Sequence, residues 1–178
     1  MYMFNPGFSG RCIRMRPSRA NQCYAIAELV RPWEVADLIQ DVPRWMLPRG
    51  HTLAADVAGW LRTQLRDGTL RYIPDPVRPF GYDHWCSPSA TLERGGGDCD
   101  DLAILGASLL LAGGVDARVV LGTLRQGWQA GGHAWIEGVD ERGGFLIEAT
   151  SGRLVRQLRP PQYNASLLLS PGCCERAA

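Results

Sequence analysis

The stretch Asp98 to Gly114, DCDDLAILGASLLLAGG, constrains the fold more than any other part of the chain. After its first turn it is apolar almost all round, through Leu102, Ile104, Leu105, Leu109, Leu110 and Leu111. A helix without a polar face has to be enclosed on every side. Asp98 suits the N-cap and Gly113 and Gly114 suit the close, so the spacing predicts a buried central helix from Cys99 to about Ala112. With 178 residues, 46% of them hydrophobic and 21% charged, the chain can build one core of ordinary size around that helix.

The flanks supply partners for it. Thr52 can cap an amphipathic helix in which Leu53, Val57, Trp60, Leu61 and Leu65 recur at three- and four-residue spacing before Gly68. Pro32 opens a helix expected to run to about Val42, with Trp33, Ala36, Leu38 and Ile39 inward, and Ser87 with Pro88 opens a short one that ends before Gly95–Gly97. LRYI reads as a short strand. VDARVVLGTL, GHAWIEGV, GFLIEAT and RLVRQL read as antiparallel strands separated by glycine-containing turns. The fold class is therefore α+β. Residues 1–20 read as an irregular arm and 21–160 as a single domain. The tail, 161–178, is apolar enough to dock on its own domain or on a partner.

Composition removes several functions. A net charge of +1 with dispersed basic residues gives no field for nucleic acid. All 19 basic residues are arginine, so no lysine can form a Schiff base or cradle a phosphate. No apolar run reaches the roughly 20 residues of a membrane span, and the N-terminal residues lack the order of a secretory leader, so a cytoplasmic location is expected. The six cysteines form no CxxC pair and no zinc-type spacing, so no structural metal is expected, and reduced thiols are.

One cysteine stands apart. Cys99 is the first residue of the central helix, where the helix terminus favours a thiolate. A thiol nucleophile needs an imidazole to carry its proton and a third group to orient the ring. His133 opens the GHAWIEGV strand, with Trp135 on its face and Ala134 and Ile136 on the other. Glu148 is the one acid of FLIEAT, and a hairpin through DERGG would bring it beside the histidine strand. Asp98, Asp100 and Asp101 would stabilise the helix N-terminus but oppose a thiolate, so at least one should point away from Cys99.

WCSPSATLERGGGDCDDLAILGASLL, GGHAWIEGV and FLIEAT, in that order, resemble the transglutaminase-like branch of the papain-like cysteine enzymes, and the first block resembles the bacterial transglutaminase-like proteinases. The likeness spans about Tyr72 to Gly152. It implies a buried helix carrying Cys99, packed on an antiparallel sheet carrying His133 and the acid. It also implies a cysteine-dependent amide hydrolase acting on a protein or peptide through a Cys99–His133–Glu148 triad and a thioester. Trp85 is the candidate second oxyanion donor, with a core role as its alternative. Glu148 stands where the family usually has Asp, and HAWIEG is closer to the broader group than to the proteinases. No cofactor is needed by this chemistry. Some relatives bind calcium through acids beside the cysteine, and three carboxylates here fall short of a full calcium shell. Acyl transfer to an amine is the nearest alternative, and a non-catalytic module docking through the arm or the tail is the other. Tyr82, His84, Trp128 and Trp135 read as cleft walls or packing, and His51 as a loop histidine.

Overall fold

The computed structural model describes residues 10–15, 22–41, 51–75 and 83–177. In chain order these form strand β1 (Cys12–Met15), helix α1 (Cys23–Ala27), a 3-10 helix (Pro32–Val35), α2 (Leu38–Asp41), α3 (Leu53–Arg66), β2 (Arg71–Tyr72), β3 (Asp83–Cys86), α4 (Pro88–Glu93), β4 (Gly96–Gly97) and α5 (Cys99–Ala112). Six strands follow: β5 (Asp116–Gln126), β6 (Gln129–Asp140), β7 (Gly143–Glu148), β8 (Arg153–Val155), β9 (Tyr163–Ser170) and β10 (Cys173–Arg176).

The predicted central helix is α5, and every residue of it from Asp100 to Leu110 is buried. Leu102, Ile104, Leu105, Leu109 and Leu110 are wholly enclosed, each contributing about 1.5–3 kcal/mol by leaving water. The helix lies between α3 and the sheet formed by the last six strands, which run in the order β10-β9-β5-β6-β7-β8 with every neighbour antiparallel. The fold is thus α+β, with the cysteine helix on an antiparallel sheet. Alternation along β6 sends Ala134 and Ile136 into the main core, while Trp135 joins Val120, Leu146 and Tyr163 in a smaller cluster. Thr52 caps α3 as expected, its hydroxyl accepting from the Ala55 N–H.

Two expectations change, at the helix from Pro32 and at the N-terminal arm, and the tail takes one of its two expected places. The helix expected from Pro32 is broken into the 3-10 turn and α2, with Trp33 and Ala36 exposed and Val35 and Ile39 buried. The cause is Glu34, which turns inward to accept from the N–H and hydroxyl of Ser89 in the first turn of α4 and pairs with Arg31. An acid committed inward at that position turns its neighbour Trp33 outward. The C-terminal segment supplies β9 and β10 and so docks on its own domain. Of the N-terminal arm, Cys12–Met15 pair with β3, and residues 1–9 and 16–20 lie outside the described residues, as do Val42 and Tyr82.

The cysteines depart furthest from expectation. Cys12 is bonded to Cys86 and Cys23 to Cys174, leaving Cys99 and Cys173 free. The β1–β3 register sets Cys12 directly opposite Cys86, a juxtaposition across 74 residues that spacing alone does not reveal. The two disulfides overturn the expectation of reduced thiols at four of the six cysteines. Among the described residues no helix is long and apolar enough to cross a membrane.

Candidate active site

Two elements meet at Cys99. From the helix side, α5 begins with the thiol, and Asp98 caps it by accepting from the Asp100 N–H at 3.3 Å. The glycines ahead of it serve the fold. Gly96 has φ +139°, and a Cβ there would lie 2.0 Å from the Arg71 carbonyl across the β2–β4 bridge; a Cβ on Gly97 would strike the Asp101 carboxylate. Asp101 points away from the thiol. Its Oδ1 accepts from the Cys86 N–H at 2.7 Å, and its Oδ2 lies 3.3 Å from Arg94 Nη1.

From the sheet side, β6 brings His133 and β7 brings Glu148. The hairpin between them holds Ile136 opposite Ile147, so Glu148 comes beside the histidine strand as the sequence suggested. His133 Nε2 lies 2.8 Å from Glu148 Oε2. The carboxylate is buried, not a solvated strand edge, and two further donors complete it: Thr150 Oγ1 to Oε1 at 2.9 Å and Tyr163 Oη to Oε2 at 3.1 Å. Burial alone would raise the Glu148 pKa, but these hydrogen bonds and the imidazole outweigh it and hold the group below the usual glutamate value. An ionised carboxylate can only accept, so Nε2 carries the ring proton and Nδ1 is left as the acceptor.

The sulfur of Cys99 is faced by the Ala134 N–H, the peptide next to His133. A groove of about 570 Å³ is lined by His133, Glu148, Thr150, Arg153 and Tyr163 among others. The thiol pKa is pushed up to about 12, first by burial and then by the charges of Asp100 and Asp98, with Glu148 adding a smaller push against the Ala134 N–H.

The acids are themselves strained by company. Asp98, Asp100 and Asp101 each offer an oxygen within 4.8 Å of the others. Burial raises all three above the usual aspartate value, Asp101 to about 7; the charge of Asp98 adds to it at Asp100 and Asp101, and Asp75 adds to the field on each. Asp75, which accepts from the His84 N–H, escaped the sequence reading because it reaches this site from the segment after β2. Tyr163 escaped it too. Thr150 could have been found as the hydroxyl two residues beyond the acid.

The remaining candidates are placed as follows. Trp85 is buried in β3 within the main core. Trp135 is packing, its Nε1 donating to Glu137 at 3.0 Å, and Trp128 is fully exposed at the β5–β6 turn. His51 Nδ1 lies 2.7 Å from Asp56 Oδ1, away from the site.

Residues 49–147 match the sequence profile of the transglutaminase-like superfamily, and the chain belongs to it. Over 96 residues, 52% of the chain, it is 37% identical to the centrosomal protein of 76 kDa from Pongo abelii. Those residues are 14% of that protein, so the likeness concerns one segment of a far longer chain. A candidate cysteine protease from Cytophaga hutchinsonii superposes over 84% of this chain and 47% of its own with TM-score 0.55 and 15% identity. Calcium-bound LapG of Legionella pneumophila superposes over 83% and 88% with TM-score 0.50 and 20% identity, and EGTA-treated LapG over 83% and 86% with 0.51 and 20%. These superpositions are likenesses of fold.

Proposed function

We propose that the chain is a cysteine-dependent amide hydrolase acting on a protein or peptide. Cys99 Sγ attacks the carbonyl carbon while His133 takes the thiol proton and passes it to the departing amine. Glu148 holds the ring in the tautomer that leaves Nδ1 free for this. The Cys99 N–H, one of the unpaired donors of the helix terminus, receives the oxyanion, with the Trp85 indole as second donor, and water then hydrolyses the thioester. The observation that carries this reading is the half-buried His133, held by the buried Glu148, standing next to the peptide whose N–H faces the Cys99 sulfur.

The acids beside the thiol support calcium as a ligand. Asp100 Oδ1 is buried with no hydrogen-bond partner, the oxygens are hard donors, and LapG has a calcium-bound form. Asp98, Asp100 and Asp101 would hold the ion, with further oxygens from elsewhere. Its charge would offset the field that opposes the thiolate.

The docking-module reading draws on the match to a centrosomal protein. A carboxylate satisfied by three separate donors around a histidine favours catalysis over it. Replacing Cys99 with Ala should leave the fold intact, abolish amide hydrolysis and leave Cys173 as the thiol that an electrophile labels; undiminished hydrolysis in the mutant removes the assignment. Supplying a tagged primary amine with a glutamine-containing protein separates the chemistries, since incorporation of the tag marks acyl transfer and release without it marks hydrolysis.

A further inference from the structure

We infer that the free edge of β6 is the substrate-binding strand, and that the substrate is an extended polypeptide segment recognised through its main chain. This rests on Cys99 as the nucleophile. The β5–β6 hairpin closes on Gln126 and Gln129 and keeps its register without a break to Val139, while β7 covers only Ile136–Asp140. Among the described residues, no strand pairs with the outer edge of β6 from Gln129 to Trp135, roughly 20 Å of strand. Peptide groups alternate in direction along a strand. The two-residue turn directs those of Gln129, Gly131 and His133 toward β5, which leaves the N–H and C=O of Ala130, Gly132 and Ala134 directed outward. Ala134 is the residue whose N–H faces the Cys99 sulfur. The unpaired edge therefore leads directly to the nucleophile.

Gly131 and Gly132 have no internal reason to be glycine. Neither has a positive φ, and a Cβ on either would meet nothing within 4 Å. Gly122 on the same hairpin is the contrast, because a Cβ there would lie 2.1 Å from the Asn164 carbonyl and 2.7 Å from Trp135. Glycine weakens a strand interior, and where packing does not require it, it marks close approach of another backbone. Ala130, Gly131 and Gly132 are exposed, and a groove of about 490 Å³ along the His133 face of the hairpin is lined by Gly131, Gly132, Leu124 and Gln129 among others. An added strand would satisfy the outward peptide groups, as in other β-augmented complexes, and its main chain would have space where side chains are missing. Trp128, fully exposed at the turn, provides an apolar contact at the far end.

The test compares alkylation of Cys99 in the full chain by iodoacetamide and by a pool of acetylated tripeptidyl chloromethyl ketones with randomised side chains. Each rate is divided by the reagent's rate with glutathione. The peptidyl pool should be favoured by about tenfold or more, and methylating its backbone nitrogens should abolish the preference, because main-chain hydrogen bonds carry the recognition. Gly131→Val and Gly132→Val should each lose the preference while the iodoacetamide rate is unchanged, since a β-branched residue suits a strand. Equal normalised rates for pool and iodoacetamide, or a preference that survives N-methylation in the wild type, overturn the inference even if a valine variant fails to fold. Failure of iodoacetamide to label Cys99 at all, or labelling unaffected by His133→Ala, overturns instead the nucleophile reading and takes this inference with it.

Discussion

Glu148 and Asp100 are carboxylates of nearly equal burial, 8% and 6% exposed, on the two elements that meet at Cys99, and their pKa values move in opposite directions. For each, burial is the largest single influence and favours the neutral form. Glu148 overcomes it through His133, Thr150 and Tyr163, whereas Asp100 faces the charges of Asp98, Asp101 and Asp75 and has an oxygen with no donor among the described residues. Donors, not depth, decide whether a buried acid stays ionised. The sheet side of the site is thus complete in itself. The helix side is a cluster of acids in which Arg94 offsets Asp101 and the charge of Asp98 opposes the thiolate it adjoins.

Glu148→Gln should have the largest effect, because it removes the acceptor that fixes the His133 tautomer. Amide hydrolysis should fall by about 10²–10⁴-fold, measured as kcat at neutral pH. The same substitution should cost about 1–3 kcal/mol of stability in urea unfolding, since three donors lose a charged acceptor. The pH dependence has a definite sign. A folded pKa below the ordinary 4.5 stabilises the fold above that value, and the increment is lost as pH falls through the lowered folded pKa, so wild type and variant should converge in acid. A stability difference that persists unchanged to low pH would show that the ionised state is not what the three donors hold.

Asp100→Asn tests the other side and should act in the opposite direction. A folded pKa well above 3.8 means the wild-type carboxyl destabilises the fold as pH rises past 3.8 toward its raised value, while below 3.8 it costs nothing. In EGTA the variant should be about 1–2 kcal/mol more stable than wild type at pH 8, where an amide can donate to Asp98 without adding charge, and equal to it in acid. Millimolar calcium should raise the wild-type Tm and leave the variant unmoved. A variant that is no more stable in EGTA and still responds fully to calcium would remove the distinction between the two carboxylates.

The difference between the two sides also marks what the sequence could reveal. Local devices were legible: the cap and close that bound Cys99–Ala112, the alternation that parts His133 and Trp135 from Ala134 and Ile136, and the hairpin that carries Glu148 to the histidine strand. Each depends on residues within about twenty positions. Contacts that depend on sheet order were hidden. Tyr163 reaches Glu148 because β9 joins the sheet beside β5, and the Cys12–Cys86 pair depends on β1 crossing to β3. The glycines differ in a way that depends on the same contacts. Gly96 and Gly97 are enclosed by Arg71 and Asp101, while Gly131 and Gly132 lie open within β6.

The smallest expected effects grade the donors around Glu148 against one another. Tyr163→Phe removes the hydroxyl that shares Oε2 with His133, so the imidazole loses a competitor for that oxygen while the carboxylate loses a donor. Thr150→Val replaces, with a side chain of similar shape, the hydroxyl that donates to Oε1, and leaves the His133 contact untouched. Both should lower kcat by about two- to tenfold, the range of one hydrogen bond worth 0.5–1.5 kcal/mol, with KM nearly constant. The double variant distinguishes support from mere packing. If the two donors hold Glu148 ionised together, their loss raises its pKa, and the acid limb of kcat should move to higher pH in the double variant by more than in either single one. An acid limb fixed in all three variants would mean that His133 alone keeps the carboxylate charged, and the contrast with Asp100 would then reduce to the presence of one imidazole.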